Sequence, residues 1–367
     1  MSRYRIIISG GGTGGHIFPA LSIAGEIRKR FPQEADILFV GANDRMEMTR
    51  VPEAGYRIVG LPVSGFVRSS ILKNFGVAFR LLKSLIIARK HIRRFKPNIA
   101  VGVGGYASAP TLWMASLMKI PILIQEQNSY AGLTNKMLGR RAARICVAYR
   151  GMGRFFPQER IILTGNPVRK DLETLRTKDA EALAYFNLEA DKPVLLVIGG
   201  SLGARTVNNG MRRGLKALID AGVQVIWQTG RYYYEEIKKE LENTDYKGLW
   251  FSDFITRMEL AYAVADLVVS RAGAGSISEL CLQRKPVILV PSPNVAEDHQ
   301  TMNARALSDN AAAVLLPDNV AEERLAETAI DLIRDRQRLK SLGDNIFQFA
   351  QHNSAERIVD EIFKEIR

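Results

Sequence analysis

Apolar, β-branched runs alternate with helical patterns along almost the whole chain. In its first part "YRIIIS", "DILFVG", "YRIVGLPV", "NIAVGVGG", "PILIQE" and "RICVAY" read as strands. In its second part "PVLLVIGG", "VQVIWQTG", "GLWFSDF", "DLVVSRAG" and "PVILVPS" do the same. Between them lie helical stretches such as "PALSIAGEIRKRF" and "AGLTNKMLGRRA". Runs that are apolar at every position mark strands buried on both faces, which predicts parallel βαβ sheets covered by helices. Both series open alike, since "IIISGGGTGGH" and "VLLVIGGSLGAR" are each strand, glycine turn and helix start. The pattern therefore predicts an α/β protein of two doubly wound, Rossmann-like domains facing one another across a cleft. They would occupy residues 1–163 and 164–344, with the boundary near "LTGNPVRKDLETL". The remaining residues read as helices, the last with Asn353 as N-cap and Glu356 three positions on, a variant of the capping box.

Ligands of such sheets bind beyond the carboxyl ends of the strands. Glycine turns let the backbone approach an anion there, and a helix N-terminus adds free N–H groups and a positive dipole end. Gly10, Gly12 and Gly15 satisfy the spacing of a dinucleotide fingerprint. That reading also needs an acid at the end of the second strand, where "ILFVGAND" instead ends in Gly41. His16 directly follows the last glycine, at the first turn of the helix, a place where the dipole favours the neutral, proton-accepting imidazole. The absence of G-x-x-x-x-G-K-[ST] removes the usual P-loop hydrolases.

Composition narrows the class. The chain has 367 residues, enough for two domains of ordinary size. Cys146 and Cys281 are its only cysteines and stand far apart, which fits a reducing compartment. The N-terminus is too glycine-interrupted for a signal peptide. No run reaches the roughly 20 apolar residues of a membrane span, so a cytoplasmic protein is expected. The net charge is +13, and its location matters more than its size: between Ala54 and Gln158 there are seventeen Lys and Arg but one acid, Glu126. Few aromatics interleave those cations and no nucleic-acid module is recognisable, so no nucleic-acid partner is expected.

The second half carries further candidate chemistry. "SRAGAGSISEL" is another strand end, glycine turn and helix start, with Glu279 one turn in to accept hydrogen bonds from vicinal hydroxyls. "EDHQTMNA" gathers His299, Gln300 and Asn303, side chains suited to a sugar.

Together "GGTGGH", "QEQN…AGLTNK", "GNPVR", "GGSLGA", "SRAGAGSISE" and "DHQTMNA" resemble, in order and over nearly the whole chain, the MurG family of GT-B glycosyltransferases. The resemblance implies transfer of N-acetylglucosamine (GlcNAc) from UDP-GlcNAc to the muramoyl sugar of undecaprenyl-diphosphate-linked lipid I, giving lipid II for peptidoglycan. It implies a peripheral enzyme at the cytoplasmic face of the bacterial inner membrane, and partners in the cell-wall and division machinery. It also implies that the C-terminal helix, about 345–367, packs back on the first domain. Carried over residue by residue, Ser201 and Arg169 lie at or beside the diphosphate, and Ile255 presents its backbone to uracil. Ala274, Gly275, Ser276, Ile277, Ser278 and Glu279 line the phosphates and ribose. Gln300 and His299 hold GlcNAc, joined from the other domain by Asn128, Thr13, Gly14 and Gly15, and the first glycine loop receives the acceptor's diphosphate. The nearest alternative of the same fold is a UDP-GlcNAc 2-epimerase.

An inverting displacement needs a base for the acceptor hydroxyl, and His16 is the first candidate, Glu126 the second. No Asp-x-Asp motif occurs, which agrees with stabilisation of the diphosphate by dipoles and Arg169, without a metal or other cofactor. The basic stretch "RSSILKNFGVAFRLLKSLIIARKHIRRFKP" reads as an interrupted amphipathic helix. Ile71, Leu72, Phe75, Phe79, Leu82 and Ile86 supply an apolar stripe, Lys73, Arg80 and their neighbours the cations, and Trp113 an interfacial aromatic. Such a face suits anionic phospholipids. Its N-terminal end, from Ile71 to Phe79, is expected to be the exposed part, with much of the rest packing on the sheet.

Overall fold

In the computed structural model, residues 3–63, 71–200, 202–242, 244 and 246–366 are described, except for the side chains of residues 71–75, 78 and 296. The chain divides into two units, Met1–Val168 with Gln351–Arg367, and Arg169–Ala350.

The first unit alternates β1 (Tyr4–Ser9), α1 (Gly14–Arg30), β2 (Ala35–Ala42), α2 (Glu47–Glu53), β3 (Arg57–Leu61), α3 (Ile71–Phe95) and β4 (Ile99–Gly102). It continues through α4 (Ser108–Leu117), β5 (Ile122–Glu126), α5 (Leu133–Gly139), β6 (Arg144–Val147) and β7 (Ile161–Leu163). Its seven parallel strands run β3-β2-β1-β4-β5-β6-β7. The second unit holds α6 (Ala180–Phe186), β8 (Val194–Ile198), α7 (Arg205–Asp220), β9 (Gln224–Gln228), α8 (Tyr234–Leu241), β10 (Leu249–Ser252) and α9 (Met258–Val264). After these come β11 (Leu267–Ser270), α10 (Ala274–Leu282), β12 (Val287–Leu289), α11 (His299–Ser308), β13 (Val314–Leu315), α12 (Asp318–Arg334) and α13 (Arg336–Phe347). Its six parallel strands run β10-β9-β8-β11-β12-β13. The last helix, α14 (Ser354–Glu365), belongs to the first unit.

Burial on both faces explains the continuous apolar strands. In β1, Ile6 and Ile8 pack with Ile23 and Ile27 of α1 and with Ile358, Val359 and Ile362 of α14. Ile7 points the other way, against Leu38, Ala100, Ile92 and Leu112. All three isoleucines are fully buried, and each contributes about 1.5–3 kcal/mol of transfer free energy. In both sheets the order reverses next to the first strand of the unit, between β1 and β4 and between β8 and β11. Those two places are where the connections diverge and leave a crevice at the carboxyl ends.

Several expectations are corrected. The edge strands β7 and β13 escaped the sequence pattern because three and two residues, all half-buried, carry too little apolar signal. Asn353 stands before α14 as expected but adopts the left-handed conformation (φ 54°), and its side chain makes no cap hydrogen bond. In α3 the buried line is Val77, Ser84, Ala88 and Ile92, while Phe79, Leu82 and Ile86 are 70%, 57% and 62% exposed. Small residues on the packing line let α3 lie close to its neighbours α4 and β3, which leaves the bulky stripe facing outward well beyond Phe79. The side chains of Ile71, Leu72, Lys73 and Phe75 lie outside the described set.

Candidate functional site

In the first unit the loops after β1 and β4 meet at the switch point. Thr13 precedes α1 in an extended conformation and makes no side-chain cap, so Gly14, Gly15 and His16 form a first turn without a capping side chain. The His16 Nδ1 lies 2.8 Å from the Val103 carbonyl and 3.1 Å from Gln127 Oε1. Both neighbours are carbonyl oxygens, so hydrogen-bond logic places the ring proton on Nδ1 and makes Nε2 the basic nitrogen. Gly104 is required for this approach: its φ is +91°, and a Cβ there would fall 2.7 Å from His16 Cε1.

Gln127 holds the arrangement from the third side. Its amide donates to the Val103 carbonyl at 2.7 Å and contacts the Gln125 side-chain oxygen. Gln125 in turn donates to Asn166 Oδ1 at 2.9 Å, and Asn166 donates to the Gln127 carbonyl at 3.0 Å. All three side chains are buried, and a satisfied buried polar network of this kind rigidifies its surroundings.

Glu126 is also buried, at 1% exposure. Its carboxylate accepts from the Asn128 N–H (3.0 Å), the Asn128 side-chain amide (3.3 Å), the Gly132 N–H (3.0 Å) and Asn135 (2.8 Å). Four donors on one carboxylate fold the segment 127–132 around it. Its isolation in the basic stretch is thus explained by a structural partner set, and Asn128 is drawn toward Glu126.

In the second unit, α10 begins at the switch between β8 and β11. Gly273 precedes it with no side-chain cap, and its first turn carries no acid. The amides of Ala274, Gly275 and Ser276 are therefore left without a capping side chain, the arrangement that can accept an anion. Ile277 is buried and its N–H already donates to the Gly273 carbonyl at 3.0 Å, and the Ser278 hydroxyl donates to the Ala274 carbonyl at 2.9 Å. Arg271 fixes the turn by donating to the Val290 and Pro291 carbonyls and to the Asp318 carboxylate, which also accepts from Thr206. The half-exposed Arg169 is close enough to Glu279 for its charge to act on the carboxyl.

The remaining candidates lie elsewhere in the two units. The Ile255 N–H donates to Gln228 Oε1 at 3.2 Å, so a base that used this N–H would displace Gln228. Gln300 Oε1 accepts from the Ser292 N–H at 2.9 Å. His299 opens α11 directly after Glu297 and Asp298, two left-handed non-glycine residues (φ 57° and 51°) that re-aim the chain. Asn303 is fully buried and donates to the Ala272 carbonyl, which corrects its reading as a sugar ligand: it ties α11 to the turn before α10. Ser201 lies outside the described residues. Trp113 is half-buried against the core with the Arg141 guanidinium 4.4 Å above its ring.

Gln127, Gly104, Asn166, Tyr262 and Arg271 were not singled out as site residues by pattern. A signal existed for the first: "QEQN" ends an apolar strand with a polar run that only a buried network accommodates.

Two doubly wound units, each with a glycine turn and a helix start at its switch point, define an α/β class that binds phosphate-bearing ligands. The models of the glycosyltransferase family 28 N-terminal and C-terminal domains match residues 6–147 and 194–361. The chain is 62% identical to the UDP-N-acetylglucosamine–N-acetylmuramyl-(pentapeptide) pyrophosphoryl-undecaprenol N-acetylglucosamine transferase of Parabacteroides distasonis, over 100% of this chain and 99% of that one. It is 56% identical to the protein of the same name from Porphyromonas gingivalis, over 98% and 95%. The crystal structure of Acinetobacter baumannii MurG is similar with a TM-score of 0.79 and 29% identity, covering 98% of this chain and 99% of that one. The chain belongs to glycosyltransferase family 28 and, within it, to the MurG family.

Glu279 has an ionisation of its own. Burial raises its carboxyl to about 7, against the opposing pull of Arg169 and of the Tyr262 hydroxyl, which donates to Oε2 at 3.0 Å. An acid whose folded value lies above its ordinary 4.5 binds more protons folded than unfolded, so stability falls as pH rises between those values. Wild type should therefore lose stability relative to Glu279→Gln between pH 4.5 and about 7, and the difference should level off above. Parallel denaturant titrations of the two proteins across that range would show it, and a pH-independent difference would refute it.

Proposed function

We propose that the chain transfers GlcNAc from UDP-GlcNAc to the C4 hydroxyl of the muramoyl sugar of lipid I, with inversion, to give lipid II. The relatives' names supply the substrate classes. The observation that carries the mechanism is the His16 ring, whose Nδ1 faces two carbonyl oxygens and whose Nε2 is thereby the base. In the reaction His16 Nε2 takes the proton of the C4 hydroxyl while that oxygen bonds the anomeric carbon. The bond from that carbon to the diphosphate breaks, UDP leaves with the electron pair, and the α linkage becomes β.

The second unit is assigned the donor. The first-turn amides of α10 and the Arg169 guanidinium supply positive potential for the departing diphosphate, the preorganised kind of stabilisation that dominates many active sites. Glu279 accepts the ribose hydroxyls, Ile255 reads the base, and Gln300 with His299 holds GlcNAc. Thr13, Gly14 and Gly15 receive the acceptor's diphosphate at the N-terminus of α1. Glu126 is assigned the ordering of segment 127–132 and hence of Asn128, not the proton transfer, because its lone pairs are already engaged.

The acceptor's lipid confines it to a bilayer. Among the described residues no helix is long and apolar enough to cross a membrane. We assign the docking face to α3, where exposed Phe79, Leu82 and Ile86 stand among Arg80, Lys83, Arg89 and Lys90. Each cation near an anionic surface is worth about 1 kcal/mol. Trp113, held under Arg141, adds little to that face. The working place is the cytoplasmic face of the inner membrane, next to the cell-wall and division machinery.

Two measurements test the assignment. His16→Ala should lower kcat by about 10²–10⁴-fold while UDP-GlcNAc affinity, measured by calorimetry, stays at the wild-type value; an unchanged kcat would remove His16 from the role of base. Phe79→Asp combined with Leu82→Asp should abolish sedimentation with phosphatidylglycerol vesicles and leave zwitterionic vesicles unbound as before. Undiminished sedimentation would place the membrane face elsewhere.

A further inference from the structure

Glu47 is the first residue of α2 and is 1% exposed, yet nothing in the reaction above uses it. Its two carboxylate oxygens are divided between two loops. Oε2 accepts from the Gly12 N–H at 2.9 Å, and Oε1 accepts from the Ala42 N–H, at the end of β2, also at 2.9 Å. The glycine turn closes over it so tightly that a Cβ on Gly11 would sit 2.0 Å from Oε1. On the other side of the turn, a Cβ on Gly105 would sit 2.3 Å from the Gly11 carbonyl. The loop 10–13 is thus held between a carboxylate beneath it and the loop after β4 beside it. Gly12 keeps a φ of +91° in that grip.

This has a consequence for anion binding. A glycine turn is usually read as a row of amides open to a phosphate, but the Gly12 amide is already taken by a carboxylate. In the first turn of α1 the His16 N–H already donates to the Thr13 carbonyl at 3.1 Å, so the amides offered to an anion are those of Gly14 and Gly15. They are aimed by the loop, and the loop is aimed by Glu47.

We propose that Glu47 is a positioning residue for the acceptor site: it clamps the glycine turn so that the start of α1 and His16 face the acceptor's diphosphate and sugar. The inference rests on the functional reading above. Charged hydrogen bonds to backbone N–H groups are the strong kind, and a displacement of about 1 Å in such a support costs on the order of 10²-fold in rate. Glu47→Gln preserves volume but puts an amide donor against one of the two N–H groups.

The test measures steady-state transfer to a lipid I analogue, together with UDP-GlcNAc binding by calorimetry and thermal unfolding, for wild type and Glu47→Gln. The proposal expects acceptor kcat/KM to fall by about 10²-fold, with donor affinity and unfolding temperature close to wild type. Unchanged transfer would overturn it, as would an equal loss of donor affinity in a variant that folds. If Glu47→Gln does not fold, Gly12→Ala serves instead, since a Cβ there meets nothing within 4 Å and only disfavours the positive φ. Acceptor KM should then rise with donor affinity intact, and unchanged KM would overturn the proposal. Wild type that binds UDP-GlcNAc but makes no disaccharide would instead bring down the functional reading, and the assignment of Glu47 with it.

Discussion

A parallel sheet can be extended only through crossover connections, and these must leave the sheet on one face or the other. Where the order reverses, the connections on either side part company, and the carboxyl ends of two adjacent strands are left uncovered. That constraint governs both halves of this protein. In the first it lies between β1 and β4, in the second between β8 and β11. The turn before α1, the loop after β4 and the turn before α10 sit beside these two points, and the polar end of β5 lies one strand away. Burial of β1 and β8 at the centre of each sheet fixes the positions, and the loops inherit them.

What the loops then do is decided by who satisfies their hydrogen bonds. Two carbonyl oxygens on one side of His16 choose its tautomer. Four donors converge on the Glu126 carboxylate and hold segment 127–132 around it. At α10 the reverse holds, since no side chain caps the start of the helix. Glu279 sits between these cases, raised to about 7 by burial and restrained by Tyr262 and Arg169. The same residue types thus take different roles according to their hydrogen-bond partners.

Much of this was legible in the chain itself. The alternating elements were clear because strands buried on both faces cannot be polar, and the glycine turns because they interrupt such strands. The edge strands β7 and β13 were not, since two or three half-buried residues carry no period. The outward face of α3 was misplaced for a related reason: a helical stripe of Phe, Leu and Ile looks like a core face. Small residues at Ser84 and Ala88 packed better, and the bulky ones were left outside. Asn303 looked like a sugar ligand and Glu126 like a base because polarity near a site is ambiguous in sequence. Only geometry shows whether a polar side chain meets a substrate or a neighbouring backbone. Gln127, Tyr262 and Arg271 stayed hidden because their roles depend on partners distant in sequence, a carbonyl at Val103, a carboxyl at Glu279 and an acid at Asp318.

The most direct test of the account is the product itself. Wild type would be incubated with UDP-GlcNAc and a lipid I analogue, and the anomeric configuration of the new linkage assigned by proton NMR. The account predicts a β1→4 disaccharide and one UDP released per linkage formed. An α linkage would contradict the single displacement built on His16, and release of UDP or a 2-epimer with no disaccharide would contradict the assignment of the acceptor.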